Sequence, residues 1–386
     1  MKIHRITAAC AAWAAAAALS GCPVLAASPE FAYSEEQWAA LRDDRLEFEE
    51  IADLVHEYNN TVIQNEIAYR DEKDKTSDDI AQDYYDAAND IYSNIEYPDS
   101  DASDYGSRMS AALNNKLSAD QLMERGDEST DDSETLRIGY DQTEASLVKQ
   151  AQTQMISYWS QYYSLDSQRE RISQAEDAYA SEETRMAAGM STQAKLLSAK
   201  EAVSSAQASL QSAESTLAKT KEDLCLMLGW KYGADVEIGA IPEPDPEKIA
   251  SISLEEDIQK ALKNNYSLML TNRRAANART EKVRATQQQT QKNQTEAIAA
   301  SVRDSYSSLI LAQSNYEQAQ QAYALEAGTL ETAGRKLQAG TMTPNNYRKQ
   351  ESSFRTAEVT LKTRKLQLVQ AMVNYDWAVN GLASAS

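Results

Sequence analysis

Beginning at Tyr158, a large apolar or aromatic side chain recurs every seventh residue, at Leu165, Ile172, Tyr179 and Met186. The stepping resumes at Leu196, Val203, Leu210, Leu217 and Leu224. Three residues on from these lie smaller side chains, Ala175 before the break and Ala199, Ala206, Ala213 and Thr220 after it, then Met227. A spacing of seven fits a helix of 3.6 residues per turn only when two helices wind about each other, and a row of large residues beside a row of small ones lets their backbones come close. The pattern returns 151 residues later, as Leu309, Tyr316, Tyr323, Leu330 and Leu337, then Tyr347, Phe354, Leu361, Leu368 and Tyr375. Ala312, Ala319, Ala333, Ala357, Ala371 and Ala378 lie alongside. The expected fold class is therefore all-α, with long antiparallel coiled-coil hairpins in two tandem repeats.

Each copy is interrupted once, by "AAGMSTQAKLLSA" (187–199) and by "QAGTMTPNNYRKQ" (338–350). Glycine tolerates the left-handed conformation that ends a helix, and Ser191 or Thr192, like Thr341 or Thr343, can cap the next one. Pro344 has the place favoured for a first-turn proline. Each interruption thus reads as a tight reversal between two arms. The second outgoing arm, from Tyr306 to Ala339, is about 50 Å long at 1.5 Å per residue. Only 12 Gly and 7 Pro in 386 residues agree with long unbroken helices. The 20 Tyr against 3 Phe point to narrow, wet interfaces.

The first residues read as an export signal: Lys2 and Arg5, an apolar run from Ile6 to Leu19, then small residues. The run is too short to span a bilayer comfortably, and no later run is long enough. "LSGC" would make Cys22 a lipidated first residue of a lipoprotein, while "VLAAS" offers ordinary cleavage after Ala26 or Ala27. Both endings place the mature chain in the extracytoplasmic cell envelope. His56 is then the sole histidine, and no phosphate-binding glycine loop occurs, so a His-based triad, a histidine metal cluster and a nucleotide site are not expected. The chain reads as a non-enzyme without cofactor or metal.

Net charge is −21, and one segment holds it: residues 30–137 carry 30 Asp and Glu against 9 Lys and Arg, while residues 138–386 carry 29 against 27. That segment would repel nucleic acid and anionic lipid. The expected organisation is a signal at 1–27, an acidic helical segment and loop at 28–135, and the first hairpin at 136–233. A Pro-rich connector on the surface follows at 234–252, and the second repeat occupies 253–386.

The doubled pattern resembles the TolC family of outer-membrane efflux proteins. The carrying text is "RMAAGMSTQAKLLSAKEAVSSAQASLQSAESTLAKTKEDLCLMLGW" and "RKLQAGTMTPNNYRKQESSFRTAEVTLKTRKLQLVQAMVNYDWAVNG". Gly229 and Gly381 end the return arms. "ALKNNYSLM" (261–269) resembles the segment that opens a family repeat, with "HEYNNTVIQ" (56–64) as its first-copy partner. The resemblance implies a homotrimer whose hairpins form a helical tunnel for efflux or export. Its tips, here Gly189, Met190, Ser191 and Thr192 with Gly340, Thr341, Met342 and Thr343, would meet the hairpins of a HlyD- or MacA-like adaptor of an ABC-type exporter. Tip residues that act only as caps would be of the same types.

This sequence departs from the family twice. No run of about ten residues alternates as a barrel strand must, either at 273–308 or in the acidic stretch 94–134, so no membrane β-barrel is expected. Where the family often has an acidic gate, six residues past each tip glycine, stand Lys195 and Asn346. Among other features, "DSDASDYG" (99–106) reads as a solvated acidic loop rather than a calcium site, and Trp159, Trp230, Trp377 and Cys225 as packing residues. "QQQTQKNQ" (287–294) is either a turn or the middle of a very long helix. A non-conducting coiled-coil spacer at the cell surface is the alternative to a conduit.

Overall fold

The computed structural model describes residues 35–41 and 43–386; the expected signal segment and Cys22 lie outside them. The first hairpin joins a 55-residue helix, Ser133–Ala187, to a 35-residue return helix, Gln193–Met227. The second joins the 58-residue Glu281–Gln338 to the 34-residue Pro344–Trp377. The outgoing helices are thus about 80–90 Å long at 1.5 Å per residue, far longer than the paired arm alone. The stretch 287–294 lies inside the second of them. With no glycine or proline in it, nothing stops the helix there.

In chain order the elements begin with α1 (Glu35–Ala40), β1 (Arg45–Leu46), α2 (Ile51–Tyr58), α3 (Asn60–Glu72), α4 (Ser77–Ser93), α5 (Tyr105–Glu128), α6 (Ser133–Ala187) and α7 (Gln193–Met227). The second half has β2 (Glu237–Ile238), α8 (Pro246–Ala250), α9 (Leu254–Asn264), α10 (Tyr266–Asn277), α11 (Glu281–Gln338) and α12 (Pro344–Trp377). The heptad rows face their partners. On α7, residues 203, 206, 210, 213, 217 and 220 are half-buried while their neighbours from 201 to 219 are exposed. Thr220 donates to Gln161 Oε1 across the seam (3.0 Å).

The short helices complete each repeat by the same device. Asn59 breaks α2 from α3. Its side chain accepts from the Thr61 amide (2.9 Å), capping α3, and donates to the Met227 carbonyl (2.8 Å) at the end of α7. Asn265 breaks α9 from α10, accepts from the Leu268 amide (3.1 Å) and donates to the Ala383 carbonyl (2.9 Å) just past α12. The return arms end at Gly229 (φ 93°) and Gly381 (φ 123°). A Cβ on Gly229 would lie 2.4 Å from Tyr58 Cβ, and one on Gly381 2.7 Å from the Tyr266 ring. The pair α2–α3 therefore continues the line of α7 against α6, and α9–α10 continues that of α12 against α11. The result is a layer of four helices, ordered α7–α6–α12–α11 towards the tips and α3–α6–α10–α11 beyond the joints.

Two apolar cores sit at these joints. One gathers Leu54, Val55, Val148, Met155, Leu224 and Leu228, and takes in Leu366, Val369 and Val373 of α12. The other gathers Ile258, Leu268, Ile298, Val302, Leu309 and Tyr375. The Pro-rich connector is not the simple surface linker expected. It runs as a strap with Val236, Ile238, Ile241 and Ile249 buried. Its β2 pairs in parallel with β1, and its Gly239 carbonyl accepts from Trp159 Nε1 (2.8 Å). Prolines interrupt helix but leave these isoleucines free to bury.

Where repeat 1 passes from α3 to α6, it inserts the helical hairpin α4–α5; repeat 2 crosses from α10 to α11 in residues 278–280. Ala81 and Ala88 of α4 are buried together with Ala112 and Ala119 of α5. Gly126 is held to hydrogen by the Tyr85 ring, since a Cβ there would lie 2.3 Å from it. Tyr85 donates to Asp127 (2.8 Å), and Tyr92 to Asp120. The stretch 99–104 is the exposed turn of this hairpin. Among the described residues the only strands are β1 and β2, two residues each, and no helix is long and apolar enough to cross a membrane.

Candidate functional site: the paired hairpin tips

Both tips are built by one hydrogen-bond scheme. At the first, the Gly189 amide donates to the Met186 carbonyl (2.9 Å) and the Met190 amide to that of Arg185 (2.8 Å). At the second, Gly340 donates to Leu337 (3.0 Å) and Thr341 to Lys336 (2.9 Å). This is the doubled C-terminal cap that needs a left-handed residue, and both glycines have φ 70°. A Cβ on either would meet nothing within 4 Å, so the dihedral angle and not crowding selects glycine.

Of the hydroxyl residues offered by the sequence, Thr192 and Thr343 are the caps. They accept from the Lys195 amide (3.4 Å) and the Asn346 amide (3.3 Å), and Pro344 takes the first helical position. Ser191 instead donates to Glu182, and Thr341 to the Lys336 carbonyl (3.1 Å). The structure thus brings Gly189–Thr192 and Gly340–Thr343 into equivalent turns. The tips differ in their apolar residue, since Met190 is 70% exposed and Met342 half-buried.

The α6–α12 contact between the hairpins changes character along its length. Near the joints it is apolar, as described above. Towards the tips it is polar: Arg355 faces Glu170 and Arg348 faces Asp177, each at 3.5 Å, and Gln174 donates to Ser352 (3.0 Å). Ion pairs this exposed contribute little, so the tip halves are held to one another weakly.

At the far end, sequence reasoning missed a clamp. Asp132 caps α6 through the Thr135 amide (2.9 Å) and accepts from Arg273 Nε (2.7 Å) and Asn277 Nδ2 (2.9 Å) of α10. Burial pushes its carboxyl up, but the Arg273, Thr135 and Asn277 bonds together hold it below the usual carboxylate range. Arg274 pairs with Asp131 (2.9 Å), Lys282 with Glu128 (2.8 Å), and Arg279 with Asp78 (2.7 Å) and the Ser129 carbonyl (2.7 Å). The base of the acidic α4–α5 hairpin is thereby fastened to the α10–α11 joint. The signal was the basic run "NRRAANARTEKVR" (272–284), the counter-charge to an acidic segment far from it in sequence.

The remaining singled-out residues pack. Cys225 is 2% exposed, and burial pushes its thiol up. Trp377 Nε1 donates to Gln152 (2.8 Å), and Trp230 lies against the first core. His56 Nδ1 is 2.8 Å from Glu144 Oε1 of α6, a bond that lifts the imidazole above its usual value. On the face of the layer away from the strap, a solvent-open cavity of about 810 Å³ spans α6, α12 and α11.

No protein-family model matches the chain, and no curated protein matches it in sequence. Among solved structures it is similar to a membrane protein from Pseudomonas aeruginosa, with 13% identity, a TM-score of 0.51, and 86% of this chain and 92% of the other covered. It is equally similar to the outer membrane protein VceC from Vibrio cholerae, with 11% identity, a TM-score of 0.51, and 86% and 96% covered. Identities this low speak for the fold alone, and the fold is an all-α, TolC-like arrangement of two long helical hairpins.

Proposed function

We propose that this chain is a subunit of an efflux or export conduit of the cell envelope, assembled from three copies. The observation that carries the reading is the open layer. Four helices side by side leave α7 and α11 as free edges, and both bear exposed leucines: Leu197 (65%) on α7, and Leu311 (63%) and Leu325 (69%) on α11, on the side away from α12. Such an edge is covered when another copy closes the curve. The likeness in fold to an outer membrane protein supports the same conclusion.

In this reading the exposed tips, Gly189–Thr192 and Gly340–Thr343, receive the helical hairpins of a HlyD- or MacA-like adaptor that couples the conduit to an ABC-type exporter. Their equivalence suits them to a ring of repeated contacts, because turns built alike can accept hairpins built alike. The chain is exported by the segment 1–27 and tethered through Cys22 if the lipoprotein ending is used.

The test is the mass of the purified mature protein by light scattering, together with capture of an adaptor from the cells that make it. A trimeric mass and a captured adaptor, lost on exchanging Gly189 and Gly340 for tryptophan, are expected. A monomer at high concentration overturns the reading. A non-conducting surface spacer is the second reading, favoured by the acidic α4–α5 hairpin, which stands where members of the resembled family have barrel strands. It predicts that export survives the tryptophan exchanges.

A further inference from the structure

The layer has two faces of opposite chemistry. On α12 the strap face is charged: Lys365 pairs with Glu243 of the strap, Lys248 of the strap pairs with Asp376 (2.8 Å), and Glu351 and Glu358 share that side. At 100° per residue, Thr356, Thr360, Thr363, Gln367 and Asn374 fall on the opposite face. Ser205, Ser209, Ser212 and Thr216 occupy the same register on α7, 151 residues earlier. Thr153, which accepts from Gln370 Nε2 (3.2 Å), carries this face onto α6, where Ser160, Ser164 and Arg171 follow it at helical spacing.

The cavity of about 810 Å³ opens on this face, with Lys149, Gln367, Gln370 and Asn374 on one side and Ser308 and Asp304 on the other. Across α6 and α12 the face carries the cations Lys149, Arg171 and Lys349, and among the described residues none of the three enters an ion pair. Asp304 is the carboxylate in the cavity lining. Residues 138–386 are close to neutral in charge, and the carboxylate that takes the register of Asn374 on α7, Asp223, is paired with Lys219. Lys149 is half-buried, and burial alone pushes its amine down, with no carboxylate near enough to restore it.

We propose that this face is the wall past which cargo moves, and that it selects a hydrophilic, anionic cargo. The inference rests on the conduit reading above and adds the substrate class to it. Hydroxyls and amides offer many weak hydrogen bonds that water can replace, as passage through a pore requires. Cations that are not tied up in ion pairs concentrate anions along the wall they line.

The test uses single cysteines in the full mature protein on a Cys225→Ala background, at Ser160→Cys and Thr360→Cys on this face and at Glu176→Cys and Glu358→Cys away from it. A small anionic thiol reagent should modify the first pair at least about threefold faster than a cationic one, after normalisation to a free thiol. The order should reverse at the second pair, and Lys149→Gln with Arg171→Gln should bring the first ratio towards one. A polymer-linked maleimide too large for the lumen should reach only the second pair in the assembled protein. If the polymer reaches both pairs equally, the conduit reading fails and takes this inference with it. If it is excluded from the first pair but the cationic reagent is the faster there, the cargo class alone is overturned.

Discussion

The two repeats build one hairpin twice and then part company at the opposite end. Their tips share backbone hydrogen bonds and a threonine cap at equivalent positions, and their joints share an asparagine that caps a short helix while holding the end of a return arm. Beyond the joints, repeat 1 grows the acidic α4–α5 hairpin and repeat 2 turns within three residues. Hairpin and joint are constrained by their own seams, and there the two repeats are alike. The far end is constrained where the repeats touch, and there they carry complementary charge, with carboxylates on one and Arg273, Arg274, Arg279 and Lys282 on the other.

The largest effect should come from filling the joints. Gly229→Val and Gly381→Val each combine a left-handed backbone with a clash, at a cost of about 3 kcal/mol or more. Thermal unfolding should show Gly229→Val as the worse, because its nearest obstacle is the Tyr58 Cβ at 2.4 Å, fixed to the backbone, whereas at Gly381 the nearest is a Tyr266 ring edge that can turn aside, leaving the Asn264 carbonyl at 3.0 Å. Equal losses would break the idea that the joints differ in rigidity.

Asp132→Ala should come next, at about 2 kcal/mol from the lost helix cap and the stranded Arg273 and Asn277 donors, moderated by water at the half-exposed guanidinium. Hydrogen exchange should quicken in α4–α5 and at the start of α6 and stay unchanged at both tips. In the wild type this contribution is present above about pH 4, the ordinary carboxylate range, and is lost as pH falls through the lowered Asp132 value. A clamp that survives strong acid unchanged would show that Asp132 does not hold it.

Gly189→Ala and Gly340→Ala should each cost about 1 kcal/mol, since only the backbone angle opposes them. A difference between them in denaturant midpoint would reveal that the tips are less alike than their bonds. The smallest change belongs to His56→Gln. The raised imidazole value means that the His56–Glu144 bond stabilises fully below about pH 6.5 and fades as pH rises through the folded value. The variant should flatten the decline in melting temperature over that range, and repeat 2, which has no histidine, should contribute none of it.

What the sequence revealed follows from size and period. Leu196 to Leu224 and Leu309 to Leu337 are large residues at constant spacing, and a left-handed glycine followed by a threonine cap has few other uses, so hairpins and tips were legible. The α4–α5 seam was not, because alanines sealed by Tyr85 and Tyr92 leave a helix that reads as merely acidic. The Asp132–Arg273 clamp joins residues 141 apart, and no local pattern couples them. The isoleucines of the strap were hidden among prolines. For the tips, the residue types of a helix cap and of a docking turn coincide, so their chemistry was readable but their partner belongs to another chain.

One feature of the joints bears on how the whole resists bending. The short helices meet the return arms at Tyr58–Gly229 and Tyr266–Gly381, yet α6 and α11 pass both levels without interruption. As in brickwork, each gap in one course is bridged by an unbroken course beside it, so a sideways push meets a continuous rod and the molecule can stay straight though half of its rods are pieced together.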